Sequence, residues 1–164
     1  MAQPTIARAD GVTDVDKSAW QELTITFTPT LSFVSSLAAE NAAIDIIFTD
    51  YTANTYFQAN SCYIEIGATI LGTDVDCTVV DDGGPTNYGI RVVGFEENLN
   101  SDAVLLRVLV KALNDPAAKD FTVSVYEKVS GAFLLREDST DTPGSLAVET
   151  TAGKKGYDMF TFPP

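Results

Sequence analysis

The stretch "CYIEIGATILGTDVDCTVV", residues 62–80, carries the period that sets the fold. Cys62, Ile64 and Ile66 alternate with Tyr63 and Glu65. Val75, Cys77 and Val79 alternate with Asp74, Asp76 and Thr78. A period of two belongs to a strand with one buried and one wet face. The intervening "GATILGTD" lets two neighbouring strands run antiparallel and sets Cys62 opposite Cys77, both on the apolar side. A disulfide closing a loop of this size contributes about 3 kcal/mol in the chain-entropy account. An even cysteine count at hairpin spacing points to an oxidising compartment. The other reading is two buried thiols, because free cysteine is among the most buried residue types. Zinc binding needs about four Cys or His ligands, and this chain has two cysteines and no histidine.

The same alternation runs outward in both directions. "ELTITFTPT" sets Leu23, Ile25 and Phe27 against Thr24, Thr26 and Thr28, and "AAIDIIFTDY" sets Ile44, Ile46 and Phe48 against Asp45 and Ile47. "YGIRVVGF", "AVLLRVLVKAL", "DFTVSVYEKV", "GAFLLRED", "SLAVET" and "YDMFTF" follow. Turn residues cluster between them, as in "DDGGPTNYG", "NDPAAKD" and "DSTDTPG". Only "VSSLAAENAA", residues 34–43, has helical composition, enough for one or two turns bridging two strands. Many short strands with regular turns predict an all-β, antiparallel sandwich or barrel, and a β-sandwich is the expected fold. Residues 20–164 are expected to form its single domain. Residues 1–19 hold few core residues for their length and are expected to be an N-terminal arm or linker.

"AVLLRVLVKAL" departs from simple alternation. Val104, Leu106, Val108 and Val110 form one face, and the other is also largely apolar, with Leu105, Arg107, Leu109 and Lys111. A surface strand of a two-layer sandwich keeps one polar face. Either this is a central strand, with Arg107 and Lys111 stems covering the outer leucines, or Leu105, Arg107 and Leu109 belong to a contact patch with a neighbouring module or subunit.

Composition excludes several functions. The 164 residues carry 23 acids against 10 bases, a net charge of −13. Phosphate recognition needs clustered basic surface, so nucleic acid is not an expected partner, and neither is anionic lipid. No apolar run is long enough for a transmembrane helix, so membrane insertion is not expected. The start "MAQPTIARAD" lacks the basic and apolar segments of a signal peptide. The end "FTFPP" stops on prolines that cannot continue a ladder. The chain is expected to be one piece of something longer.

The lack of histidine removes Ser-His-Asp and Cys-His designs, and no nucleotide-binding glycine loop is present. Paired carboxylates leave acid-pair glycoside hydrolysis as the residual enzymatic reading. Trp20, the sole tryptophan, stands beside the start of a strand and reads as core. No cofactor is expected, with calcium as the one candidate. Asp10, Asp14 and Asp16 give a D-x-x-x-D-x-D spacing, short of the roughly six to eight oxygens that calcium takes. Asp81, Asp82 and Asn87, or Glu137, Asp138 and Asp141, are the loop groups able to complete such a site. The TDVD of residues 73–76 repeats that of residues 13–16, but alternation turns Asp74 and Asp76 outward on a solvated strand face.

The order "LTITFTPT", "AIDIIFTDY", "SCYIEIGATILGTDVDCTVV", "YGIRVVGF" and "AVLLRVLVKALNDPAAKDFTVSVYE" resembles tandem immunoglobulin-like β-sandwich repeats of large secreted or cell-surface proteins of protists and bacteria. The likeness covers roughly residues 20–130 and is one of pattern. Asn114-Asp115-Pro116 stands where those repeats have a shorter Asn-Pro, and "LAAENAA" replaces their glycine-rich turn. The resemblance implies an immunoglobulin-like sandwich with extra strands and an extracellular or cell-surface location. It implies a non-enzymatic structural role in a filament, sheath or adhesin, with copies of itself or neighbouring modules as partners. A calcium-dependent carbohydrate- or protein-binding module is the second expectation.

Overall fold

Alternating β-branched and aromatic residues build strands along the whole described chain. The computed structural model describes residues 1–8, 14–15, 18–33, 42–72, 75–84, 86–95, 99–115 and 117–148. In chain order the strands are β1 (Thr5–Arg8), β2 (Asp14–Val15), β3 (Trp20–Phe27), β4 (Ser32–Phe33), β5 (Ala42–Phe48), β6 (Phe57–Ile66), β7 (Thr69–Gly72), β8 (Asp76–Asp81), β9 (Tyr88–Val93), β10 (Leu99–Asn100), β11 (Val104–Lys111), β12 (Lys119–Val129), β13 (Ala132–Asp138) and β14 (Gly144–Val148). One 3-10 turn, Asn54–Tyr56, precedes β6. Among the described residues no helix is long and apolar enough to cross a membrane.

The strands form two main sheets. The first has the order β1-β3-β11-β6-β7, and the second runs β2-β14-β12-β5-β9-β8 with β13 also on β12. The order β1-β3-β11-β6 is the A-B-E-D order of an immunoglobulin domain, and β13-β12-β5 is its G-F-C. The extra strands are β7 on the first sheet and β9, β8, β14 and β2 on the second. Of these, β7, β8 and β9 are inserted between the D and E positions, β2 lies between A and B, and β14 follows G. A short β4–β10 pair lies apart from both sheets. Within the stretch expected as an arm or linker, Thr5–Arg8 pairs antiparallel with β3 from Thr5↔Thr26 to Arg8↔Leu23.

Inward side chains of both sheets share one core. Leu23, Ile25, Ile64, Leu106 and Val108 come from the first sheet, and Ile44, Ile46, Ile90, Val92, Phe121 and Val123 from the second. At one end Phe48 meets the rings of Tyr51, Phe57 and Phe121 at centroid distances of 5.2, 5.6 and 5.6 Å. Burial, eased by the Leu113 backbone and Lys119, pushes the Tyr51 phenol up to about 12. Gly89 is required by close approach: a Cβ there would lie 1.7 Å from the Ile46 carbonyl oxygen on β5. The β12–β13 hairpin turns on Ser130 and Gly131, with φ of 52° and 85°. Both values are positive, as a two-residue type I′ turn demands.

Cys62 and Cys77 form a disulfide, but its setting differs from the expected hairpin. Cys62 lies on β6 in the first sheet and Cys77 on β8 in the second, with Cα atoms 6.3 Å apart. The hairpin partner of β6 is β7, with Glu65 opposite Ile70. The chain then crosses to the other sheet before Cys77. Both cysteines point inward as alternation requires, and inward residues of facing sheets meet across the core. Trp20 is a second correction: it is 46% exposed, not core. It shares outward parity with Glu22, Thr24 and Thr26, and pairs with Lys111 at the end of the sheet. Residues 34–41 of the expected helical turn and the "YDMFTF" run lie outside the described residues, while Ala42 and Ala43 open β5.

Candidate functional site

The first sheet carries its site on the outer face. β11 is the central strand, with every second residue buried: Val104, Leu106, Val108 and Val110 face the core. The intervening residues stand in rows fixed by register. One row is Thr5, Thr26, Leu105, Glu65 and Ile70, and the next is Ala7, Thr24, Arg107 and Tyr63. Leu109 stands opposite Glu22. Leu105, Arg107 and Leu109 are half-buried, and Ile70 is 69% exposed. This face is less polar than a water-facing sheet surface of two-layer design.

A groove of about 280 Å³ opens on this face, lined by Glu22, Asn60, Ser61, Cys62, Tyr63, Arg107 and Leu109. Its origin is a break in the ladder. Val108 pairs with Cys62 and Val110 with Phe57, so Gln58 to Ser61 bulge opposite Leu109 alone. Asn60 takes a left-handed conformation within the bulge, with φ of 57°, a region that asparagine tolerates better than most side chains. The Arg107 guanidinium carbon lies 4.8 Å from the Tyr63 ring centroid. The Tyr63 hydroxyl donates to Glu65, and that bond holds the phenol above its ordinary range. The Arg107 Nε is buried and has no hydrogen-bond partner. Of the expected interface trio, Arg107 and Leu109 line the groove with Tyr63, Asn60 and Ser61, while Leu105 stands in the neighbouring row between Thr26 and Glu65. Alternation already turned Tyr63 outward, whereas Asn60 and Ser61 lay unread because a bulge leaves no periodic trace.

The outer face of the second sheet also centres on an arginine. Arg91 on β9 is in register with Asp45 on β5. Its Nε donates to Oδ1 and its Nη2 to Oδ2, each at 2.7 Å. Asp45 is only 4% exposed. Tyr126 and Phe133 each place a ring centroid 5.4 Å from the guanidinium. The Asp45 hydrogen bond, against the opposing effect of burial, holds Arg91 above its ordinary value. Burial, then the Asp45 charge, raises the Tyr126 phenol. Alternation had turned Asp45 outward, which is correct. What it does not show is that Arg91 and the rings cover it.

The acidic loop groups are engaged with their own turns. Asp81 accepts from Gly83 N, and Asp82 accepts from Gly84 N and the Asn87 amide. Asp138 accepts from Thr140 N. Lys119 bridges Asp50 and Asp115, both at 2.9 Å. Glu137 is buried and accepts from Thr30 N, Thr30 Oγ1, Leu31 N and the Met1 ammonium. Burial alone would raise its carboxyl, but these donors outweigh burial and hold it below 4.5. Among the described residues no three Asp, Glu, His or Cys side chains group to hold a metal ion. Asp10 and Asp16 lie outside the described residues, and Asp14 is described only as backbone of β2.

No protein-family model matches this chain, and no curated protein matches it. Solved structures similar to it include domains D2 and D3 of the major pilin SpaD from Corynebacterium diphtheriae, at 18% identity and a TM-score of 0.47. That match covers 84% of this chain and 50% of the pilin fragment, so the chain spans half the length of that structure. A cohesin module of a Clostridium perfringens family 33 glycoside hydrolase matches at 12% identity and a TM-score of 0.46, over 89% of this chain and 95% of the module. The N-terminal domain of the Streptococcus gordonii adhesin Sgo0707 matches at 14% identity and a TM-score of 0.43, over 90% of this chain and 32% of that one. The sandwich assignment itself rests on the sheet orders described above.

Proposed function

We propose that this chain is a non-enzymatic structural module of an extracellular filament, sheath or adhesin. It acts through contacts with copies of itself or with neighbouring modules. The observation that carries this reading is the outer face of the first sheet. Leu105 and Leu109 flank Arg107 on the central strand, while Ile70 and Trp20 stand exposed toward its borders. A solvated face of this size gains nothing from these side chains, whereas a packed neighbour buries them. The disulfide between the sheets supports an oxidising compartment.

Sedimentation velocity over a concentration series tests the reading. Reversible association that Leu105→Glu and Leu109→Glu abolish is the expected result. A chain that stays monomeric throughout, and whose surface binds no neighbouring module, overturns it. The alternative, a calcium-dependent binding module, draws on Asp10, Asp14 and Asp16. A melting temperature raised by calcium and returned by chelator favours that alternative.

A further inference from the structure

We infer that the Arg107 groove is a socket for a single carboxylate side chain presented by an adjoining copy of this chain. The inference rests on the inter-copy reading above and names its central contact.

Three independent features meet in the groove. The first is an arginine whose Nε is buried without a hydrogen-bond partner, while its guanidinium is held against Tyr63. Arg107 as a whole is only half-buried, so an incoming carboxylate can pair through a charge-assisted bond with the guanidinium edge left open. The second is the bulge of Gln58 to Ser61, which opens the ladder beside Leu109 and holds Asn60 at positive φ. Bulges recur where a strand re-aims side chains at a site. The third is volume. A groove of about 280 Å³ has room for a carboxylate side chain.

Charge selects the occupant. With 23 acids against 10 bases, a second copy offers carboxylates readily. Glu22 lines the same groove, so the socket accepts one negative group and resists a second. Leu105 and Leu109 stand beside the arginine and exclude water around the pair, the arrangement in which an interfacial arginine contributes most. Polar Asn60 and Ser61 provide hydrogen-bonding groups next to it.

Sedimentation of the full chain with Arg107→Gln, Arg107→Lys and wild type provides the test. Arg107→Gln is expected to weaken association about tenfold in dilute salt. The gap to wild type should narrow as salt screens the pair. Arg107→Lys should recover only part, because lysine keeps the charge without the planar fork. Equal association of wild type and Arg107→Gln at every salt concentration, with Leu105→Glu still disruptive, overturns the socket and leaves the inter-copy reading standing. If wild type never associates, the inter-copy reading falls, and side-chain NMR of the Arg107 Nε–H titrated with N-acetylglutamate amide judges the socket alone. A saturable shift of that resonance, not shared by the other arginine Nε–H signals, supports a carboxylate socket, and no shift at millimolar probe sinks it.

Discussion

Each sheet of the sandwich exposes one arginine at its outer centre, and the two are finished differently. Arg91 has a carboxylate of its own, Asp45, on the adjacent strand, with two bonds and two flanking rings. Arg107 sits in the same kind of place, on a central strand beside a tyrosine, and its Nε has no partner. On the second sheet the strand neighbour supplies the opposing charge. On the first, the residues in register with Arg107 are Thr24 and Tyr63, neither of them acidic. The difference lies in how each charge is met: Arg91 is satisfied within its own sheet, whereas on the proposed function Arg107 is left for a neighbouring copy.

The contrast can be broken from its foundation upward. The largest effect is expected from Gly89→Ala, on β9 two positions before Arg91. Its Cβ meets backbone, the Ile46 carbonyl at 1.7 Å, which cannot swing aside, so a loss above about 4 kcal/mol is expected in urea unfolding. Asp45→Ala comes next. It leaves the Arg91 guanidinium unpaired beside a core strand, at a cost of about 3 kcal/mol, reduced from the fully buried case because Arg91 keeps a wet side. A much smaller loss would mean that the aromatic rings, not the carboxylate, hold Arg91.

Acid gives a third comparison, between a sealed carboxylate and the exposed ones. The folded pKa of Glu137 is lowered below 4.5. Its stabilising contribution is therefore complete above that ordinary value and disappears as pH falls through the lowered folded value. Glu137→Gln should lose about 1–2 kcal/mol at neutral pH through weakened charged hydrogen bonds. It should also flatten the acid limb of a melting-temperature profile, and an unchanged limb would assign that limb to other acids. The smallest effect belongs to Arg107→Ala, expected below about 1 kcal/mol in the isolated chain. A loss as large as that of Asp45→Ala would show that Arg107 is structural, and would erase the contrast between the faces.

Much of this architecture is legible in alternation. Leu23, Ile25 and Phe27, or Ile44, Ile46 and Phe48, point inward where a period of two puts them. The two apolar faces of "AVLLRVLVKAL" correctly mark β11 as central. Alternation reports which side of a strand a residue occupies, and it is silent about which sheet the strand joins. That is why the cysteine pair was readable while its cross-sheet setting was not: "TILG" is too short to announce itself as the partner of β6. The bulge at Gln58 to Ser61 and the burial of Asp45 depend on neighbours distant in sequence, as does the cluster around Glu137. Trp20 reads as core when it is taken only as a residue beside a strand start, whereas its parity with Glu22 and Thr24 places it outside.

The disulfide between the sheets also limits how far this chain can lengthen. Pulled from its ends, a sandwich without the bond would pay out all of its residues. With Cys62 tied to Cys77, the 15-residue separation between them stays closed. At the reach of an extended chain this shortens the fully drawn length by about 45 Å. The strands on either side still peel away under force, but the tension passes through the S–S bond and bypasses the segment between the cysteines, β7 included. Single-molecule stretching before and after reduction should show that hidden length appear.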